Sequence, residues 1–523
     1  MKRFKLVLAV MLCVLSCFFF LAGCGSDQGN GKDSGEDTEA GGVKYREELD
    51  VIIDNTKIAI LDPHSPAAGT SSATWAFQMI YDTLVADLGD GQFGPDLATR
   101  WETEDWQHFT FHLRDDVYFH NGEKLTAADV VYTVERAKEN PGSAGHDKLS
   151  IVESVQAVDE HTVEMTLQSV NVEFLYYISD SRASILNQKA IEADPEKGTW
   201  IGTGAWTVSD FASNEYVVLE ANENYWGEIP KTKKMTLKYV AEESTRLMQL
   251  ENGEAQVCFS INANDYDYVE SQTDKFVTFP FTSNNNSYIA FNMNDPICGD
   301  LNFRKAVASA IDREEMVASA FNGYGEVNTL GTFWGFRTEF KNENIPIIPK
   351  DLEKAKEYLA QSNYNGETVE IVSAIPDLIK TAQIVQAQLA EIGINTTIKE
   401  TDPPGISAYA TYADNKAQMI VYVGGISLNA GSTKAYFYPY GSYNRASYKN
   451  DEVIALYDLA VSQADPAERE ATYHKIQEIV AEDLPYINLM NTTFLVCCAK
   501  GVEGLKLSNL AYHDLTYMYM IEE

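Results

Sequence analysis

"TVEIVSAIPDLIKTAQIVQAQLAEIGINTTIKE", Thr368 to Glu400, carries the pattern that decides the fold. Its first eight residues, 368–375, form an apolar, β-branched run of strand length. In "LIKTAQIVQAQLAEI", Leu378, Ala382, Val385, Leu389 and Ile392 recur at steps of four and three, which puts them on one face of a helix. Gly393 follows where a left-handed residue closes a helix. "INTTIKE" predicts a second strand and "AQMIVYV", 417–423, a third. Strand, helix, strand in this succession predicts a mostly parallel sheet with covering helices.

The chain around this unit alternates strand and helix signals in the same way. "LDVIIDN" and "KIAIL" predict strands near the start, and "FTFHL" alternates Phe109, Phe111 and Leu113 on one side. Asn121-Gly122 marks a turn. Thr126 with Asp129 three residues on has capping-box spacing and predicts a helix through "TAADVVYTVERAKEN". Two strands flank Asp159-Glu160-His161, and "GAWTVSDFASNEYVVLEAN" predicts a hairpin turning at Ala212 to Asn214. "KKMTLKYV" is a further strand before a helix from Glu243 to Leu250, and "NSYIAFNMN" is another. "LNFRKAVASAIDREEMVASAF" predicts two consecutive helices broken at Asp312. Helices over Asp451–Ser462 and Pro466–Ala481 precede final strands opened by Pro485.

The opening segment fixes the compartment. Lys2, Arg3 and Lys5 precede an apolar run from Leu6 to Ala22, the pattern of a secretory signal, with an uncleaved anchor helix as the alternative. Leu21-Ala22-Gly23-Cys24 closely resembles a bacterial lipobox, which implies cleavage before Cys24 and a diacylglycerol on its thiol. Two acyl chains suffice for stable anchoring. The tract Gly25 to Gly42 is rich in Gly, Ser, Asp and Glu and predicts a flexible tether. The expected location is therefore the outer face of the cytoplasmic membrane.

The chain holds 40 basic and 77 acidic side chains, a net charge of −37. Without the three basic residues of the signal the balance is 37 against 77, or −40. Such a surface repels nucleic acid and anionic lipid, so nucleic acid is not an expected partner. With the signal and Cys24 set aside, Cys258, Cys298, Cys497 and Cys498 remain. They lack C-x-x-C or paired Cys/His spacing, and no metal or other cofactor is expected. Cys497-Cys498 reads as two thiols on a half-buried strand, with a vicinal disulfide as the alternative; whether Cys258 and Cys298 bridge is left open. About 480 folding residues exceed one ordinary core and predict two or three domains.

Enzyme signatures are missing. There is no G-x-S-x-G elbow, H-E-x-x-H, Walker loop or G-x-G-x-x-G. His108 and His112 lie four apart on a predicted strand, too far for easy chelation. The composition is instead rich in aromatics, with 29 Tyr, 23 Phe and 7 Trp. Most of these fill cores, but Tyr and Trp also line ligand clefts.

Eight stretches together resemble one family. They are "LDPHSPA" (61–67), "GPDLATRWE" (94–102), "FTFHLRDDVYFHNGEKLTAADVVYTVER" (109–136), "GTGAWTVSDF" (202–211), "NENYWG" (222–227), "LENGEAQV" (250–257), "LNFRKAVASAIDREEMV" (301–317) and "DPAEREATYHKIQEIVAEDLPYI" (465–487). In this order they resemble the bacterial extracellular solute-binding protein family five, which includes the oligopeptide-, dipeptide- and nickel-binding receptors of ABC importers. The resemblance implies no enzyme but a monomeric α/β, two-lobed periplasmic-binding-protein-like clam of class II type with three domains. Its implied boundaries are 1–23 for the signal and 24–46 for the lipidated tether. Residues 47–75, 200–285 and 485–523 make a discontinuous domain I, 76–199 an inserted domain II, and 286–484 domain III. The implied partners are a small solute or peptide and the transmembrane permease of an ABC importer with its cytoplasmic ATPases.

Peptide-binding members hold the ligand backbone between main-chain edges of both lobes. By position, the resemblance implies a domain I edge at Ser65, Ala67, Gly69 and Thr70, and a domain III edge at Tyr422, Gly424 and Gly425. One departure matters. Peptide receptors carry an acidic residue after the second edge to pair with the ligand's ammonium, and "VGGISLNAGSTKAY" has none. Ser427 or Asn429 occupies that place, and neither offers a countercharge. Either another carboxylate serves, or the ligand is a blocked peptide, an oligosaccharide or another non-peptide solute. A sensor that presents ligand to a membrane partner and a secreted hydrolase are the remaining alternatives. No histidine cluster suits a nickel chelate.

Overall fold

The computed structural model describes residues 43–522 except 54–55, 90, 336 and 509–512. Cys24, the signal and most of the tether lie outside the described residues. Lys44–Tyr45 pair with Ile521 and Glu522, so ordered structure begins before residue 47. No helix among the described residues is long and apolar enough to cross a membrane.

In chain order the strands that organise the fold are β1 (Glu48–Ile52), β2 (Ala98–Glu102), β3 (His108–Leu113), β4 (Val152–Asp159), β5 (Thr162–Leu167), β6 (Trp206–Ala212) and β7 (Tyr216–Ala221). They continue with β8 (Lys234–Lys238), β9 (Val257–Cys258), β10 (Phe276–Phe291), β11 (Thr368–Ala374), β12 (Asn395–Thr401), β13 (Met419–Gly425) and β14 (Tyr486–Ala499). The helices used below are α1 (Ser71–Ile80), α2 (Ala127–Lys138), α3 (Leu301–Ala310), α4 (Arg313–Ala320), α5 (Pro376–Glu391), α6 (Pro403–Tyr409), α7 (Asp451–Ala460) and α8 (Pro466–Asp483).

One large sheet runs in the order β12-β11-β13-β10-β14-β9-β1-β8-β7-β6, and a smaller one in the order β2-β3-β5-β4. The opening βαβ unit is parallel: β11 pairs with β12 on one side and β13 on the other. The Thr126 capping box is present on α2, and Asp129 accepts from the Thr126 main-chain amide. Asp312 caps α4 by accepting from the Glu315 amide, which explains the break between α3 and α4. "KIAIL" is not a strand. Both neighbours of β1 are taken by β8 and β9, so this run finds no free edge and instead buries Ile58 and Leu61 in the core.

The apolar cores divide the molecule. One gathers Leu49 to Tyr81, Leu186 to Phe259 and Val496 to Met518. A second is built from Leu84 to Ile185. Two more, on opposite faces of β11 and β13, draw on residues between Tyr288 and Leu489. These cores and the expected boundaries do not coincide residue for residue. A cut at 75/76 would split α1, whose Trp75, Phe77, Met79 and Ile80 all serve the first core. Leu186 and Ile191 already belong to that core before residue 200, and Tyr486 and Ile487 still belong to the third and fourth after 485.

β10 and β14 pass from one set of cores to the other. Their register is broken where they cross: Thr282 faces Thr493 and Asn286 faces Asn491, so Ser283, Asn284 and Asn285 oppose Thr492 alone. The irregular stretch is polar. Ser283 donates to the Thr492 carbonyl, and Asn284 to the Ile426 carbonyl. The boundary read from the sequence at 285/286 falls in this bulge. Cys258, Cys298, Cys497 and Cys498 are free and buried, with Cys258 opposite Cys497 across β9 and β14.

Candidate ligand-binding site

The connections of β11 create a crevice. From β11 the chain runs through α5 to β12 and packs Ala382, Val385 and Leu389 on one face of the sheet. From β12 it runs through α6 to β13, on the far side of β11, and packs Ile406 on the other face. Opposite windings from neighbouring strands leave a gap at their carboxyl ends, where ligands enter open α/β sheets. Ile375 sits there with φ of +72°, a value unusual for a β-branched residue.

The expected edge at Tyr422, Gly424 and Gly425 borders this gap. β13 pairs with β10 along its whole length, through Gly425 opposite Asn285. Its pairing to β11 stops at Val421. Residues 422–425 therefore keep one side without a ladder partner among the described strands. Gly424 has a packing reason as well: a Cβ there would lie 2.3 Å from the Tyr436 hydroxyl. That hydroxyl donates to the Gly425 carbonyl at 3.0 Å.

The other expected edge is built differently. Pro66–Ala68 form a 3₁₀ turn and not an extended strand. Ser65 caps it by accepting from the Ala67 amide, and Thr70 caps α1 by accepting from the Ala73 amide. Thr70 also donates to the Lys57 carbonyl. Ala67 and Gly69 are exposed, and a Cβ on Gly69 would meet nothing within 4 Å. No hydrogen bond among the described residues joins this segment to residues 422–425.

Ser427 and Asn429 both have structural partners of their own. Ser427 presents its carbonyl to the Thr338 hydroxyl, and Asn429 caps the turn Ala430–Thr433 by accepting from the Ser432 amide. The carboxylate at this spot comes from Glu339, 90 residues earlier in the chain. It accepts from the Ala430 amide at 3.1 Å and the Asn429 side chain at 3.3 Å. Glu173, from the second core, is 2 % exposed and accepts from the Tyr473 hydroxyl. Neither carboxylate has a basic partner within ion-pair distance among the described residues. Burial pushes the Glu339 carboxyl above its ordinary range; the Ala430 amide opposes this and nearby Glu173 adds to it. Burial also pushes Glu173 up, against the hydrogen bond from Tyr473.

These acids sit where the second core meets the third. Tyr176 reaches Glu339 at 3.5 Å, and the Val172 amide donates to the Val461 carbonyl at 2.9 Å. Sequence reading missed Glu339 and Glu173 because their place is set by tertiary packing. It also missed Arg445, a buried arginine beside Tyr422. Its only local signal was the tyrosine-rich run "YFYPYGSYNR". His108 bonds Asp105, and His112 lies 3.5 Å from Glu102. No group of three metal-binding side chains is found among the described residues.

Comparison with known proteins agrees with this architecture. A family model described as "Bacterial extracellular solute-binding proteins, family 5 Middle" matches residues 92–448. Heme-binding protein A of Haemophilus influenzae is 26% identical over 481 residues, covering 83% of this chain and 86% of that protein. The substrate-binding protein CtaP of Listeria monocytogenes superposes with a TM-score of 0.80 at 24% identity, over 92% of this chain and 100% of that one. DppA of Helicobacter pylori, solved with the peptide STSA, superposes with a TM-score of 0.78 at 24% identity, over 91% of this chain and 98% of that one. These neighbours share the two-lobed α/β fold.

Proposed function

This chain belongs to the bacterial extracellular solute-binding proteins of family 5, and on that basis we propose that it is the lipid-anchored receptor of an ABC importer that captures short peptides. The observation that carries the peptide reading is the unpaired side of residues 422–425 at the carboxyl ends of β11 and β13. A peptide backbone laid there would continue the sheet, main chain to main chain. The half-buried Glu339 and the buried Glu173 support the same reading. They bring two carboxylates together with no ion-pair partner among the described residues, Arg469 and Lys434 acting only from a longer distance, and a peptide's ammonium would relieve that cost. The carboxylate absent from the run 423–436 is thereby supplied from elsewhere in the fold. DppA of Helicobacter pylori binds a peptide in the same fold, which is consistent with this reading and at its identity speaks to fold alone.

In this account the first core corresponds to domain I, the second to domain II, and the third and fourth to domain III. The β10–β14 bulge is the hinge about which the lobes close, and ligand contacts to both lobes drive closure. Cys24 carries the anchor, and residues 25–42 tether the folded part beside its permease.

The test is titration of ligand-stripped protein with a random tetrapeptide library and with a set of neutral oligosaccharides. The reading expects thermal stabilisation by the peptides alone; stabilisation by the sugars alone would replace it. A Cys24→Ser chain is expected to move from the membrane to the soluble fraction.

A further inference from the structure

Arg445 is 6 % exposed, yet its guanidinium is poorly satisfied. Nη2 reaches only the Ser407 hydroxyl, at 3.4 Å, and Nε has no partner. No carboxylate lies within ion-pair distance among the described residues. The other buried arginines rest on main-chain acceptors, although Nε of Arg304 also lacks a partner. Arg246 donates to the carbonyls of Val240, Ala241 and Ser260. Arg304 donates to those of Cys298 and Asp483, and Arg313 to those of Asn488 and Ile348. Each therefore exchanges water for strong main-chain acceptors, and Arg445 does not. Its guanidinium centre lies 5.3 Å from the Tyr422 ring centroid, and stacking of this kind offsets only part of the cost of removing a cation from water.

Its position gives that cost a purpose. Tyr422 stands on the unpaired stretch of β13, and Ser407 on α6 just after the carboxyl end of β12. Arg445 thus lies at the strand ends that open on the crevice. Tyr443 is 45 % exposed and Tyr422 partly exposed, so the pocket has a wall that reaches solvent. The main chain is pinned, since the Asn415 side chain donates to the Arg445 carbonyl at 2.7 Å and the Arg445 amide donates to Tyr443. A guanidinium held this way has only the neutral hydroxyls of Ser407 and Tyr288 beside it and can still take a planar, two-oxygen acceptor.

We propose that Arg445 is the anchor for a carboxylate of the captured solute and, on the peptide reading above, for the C-terminal carboxylate. The missing acceptor for Nε and the weak one for Nη2 are the places that the two carboxylate oxygens would take. Recognition of this kind rejects an amide in the same position, because an amide leaves part of the buried charge unpaired.

The test uses two synthetic tetrapeptide libraries, identical except for a free or an amidated C-terminus, with ligand-stripped wild-type protein and Arg445→Met. Wild type is expected to bind the free-acid library at least tenfold more tightly, and R445M to lose that preference. Empty R445M should unfold at a temperature no lower than empty wild type, because it removes an unpaired buried charge. Equal affinity of wild type for both libraries overturns the proposal. So does a drop in the unfolding temperature of R445M with its preference intact. If R445M does not fold, Arg445→Lys should keep a reduced preference for the acid, and an unchanged preference overturns the proposal. If neither library binds wild type, the peptide reading falls. Native mass spectrometry of the proteins as purified then decides on Arg445. An acidic solute retained by wild type and lost from R445M supports the anchor, whereas no acidic solute, or one retained by both, overturns it.

Discussion

The segments Ser65–Thr70 and Tyr422–Gly425 hold matching places in the reading of the sequence, as facing edges, but the fold builds them in opposite ways. In the first, the side-chain hydroxyls are spent on caps: Ser65 closes a 3₁₀ turn and Thr70 starts α1. In the second, a strand outruns its neighbour and keeps main-chain groups unpaired beside a crevice. The difference teaches that position along a chain can locate a segment without fixing what its polar groups do. Capping is local and saturates the groups that make it, whereas an open strand end depends on where two strands stop.

The two glycines should separate the segments most sharply. Gly424→Ala places a Cβ 2.3 Å from the Tyr436 hydroxyl, which is held by the Gly425 carbonyl and by stacking on Tyr443. Overpacking of this kind costs about 1–3 kcal/mol. Urea unfolding should show that loss, together with weaker ligand binding. Unchanged stability would mean that the Tyr436 contact is not rigid. Thr70→Ala removes a cap and should cost about 1 kcal/mol in the same assay while leaving ligand affinity in place. A fall in affinity beyond the fall in stability would restore this segment as a ligand contact.

The acid pair gives a smaller effect with a definite sign. Burial raises the Glu339 carboxyl in the fold, so the folded state holds its proton more tightly than the unfolded chain does. Its contribution to stability is complete below the ordinary carboxylate range and is lost as pH rises through the raised value. Thermal unfolding from pH 4 to 8 should therefore fall more steeply with pH in wild type than in Glu339→Gln. Parallel curves would remove Glu339 from the account. Gly69→Ala is expected to do least, within about 0.5 kcal/mol, because its Cβ would point into open space.

Periodicity made much of the fold legible. The βαβ unit from Thr368, the capping box at Thr126, the N-cap at Asp312 and the hairpin β6–β7 follow from local pattern. "KIAIL" misled because a strand needs a free neighbour as well as β-forming residues, and β1 had none to offer. The site was less legible. Tyr422, Gly424 and Gly425 could be placed by resemblance, but Glu339 and Arg445 could not. Glu339 arrives from a loop 90 residues before Asn429, and Arg445 matters only because no carboxylate or main-chain carbonyl meets its guanidinium. Neither relation leaves a spacing in the sequence.

The central claim is that ligand is held at the unpaired stretch of β13 and not along the capped segment of α1. Hydrogen exchange of ligand-stripped protein, with and without the free-acid tetrapeptide library, tests it most directly. The account predicts that amides of residues 422–425 slow at least tenfold with peptide, and slow more than those of residues 65–70. Unchanged exchange at 422–425 under saturating peptide would contradict it.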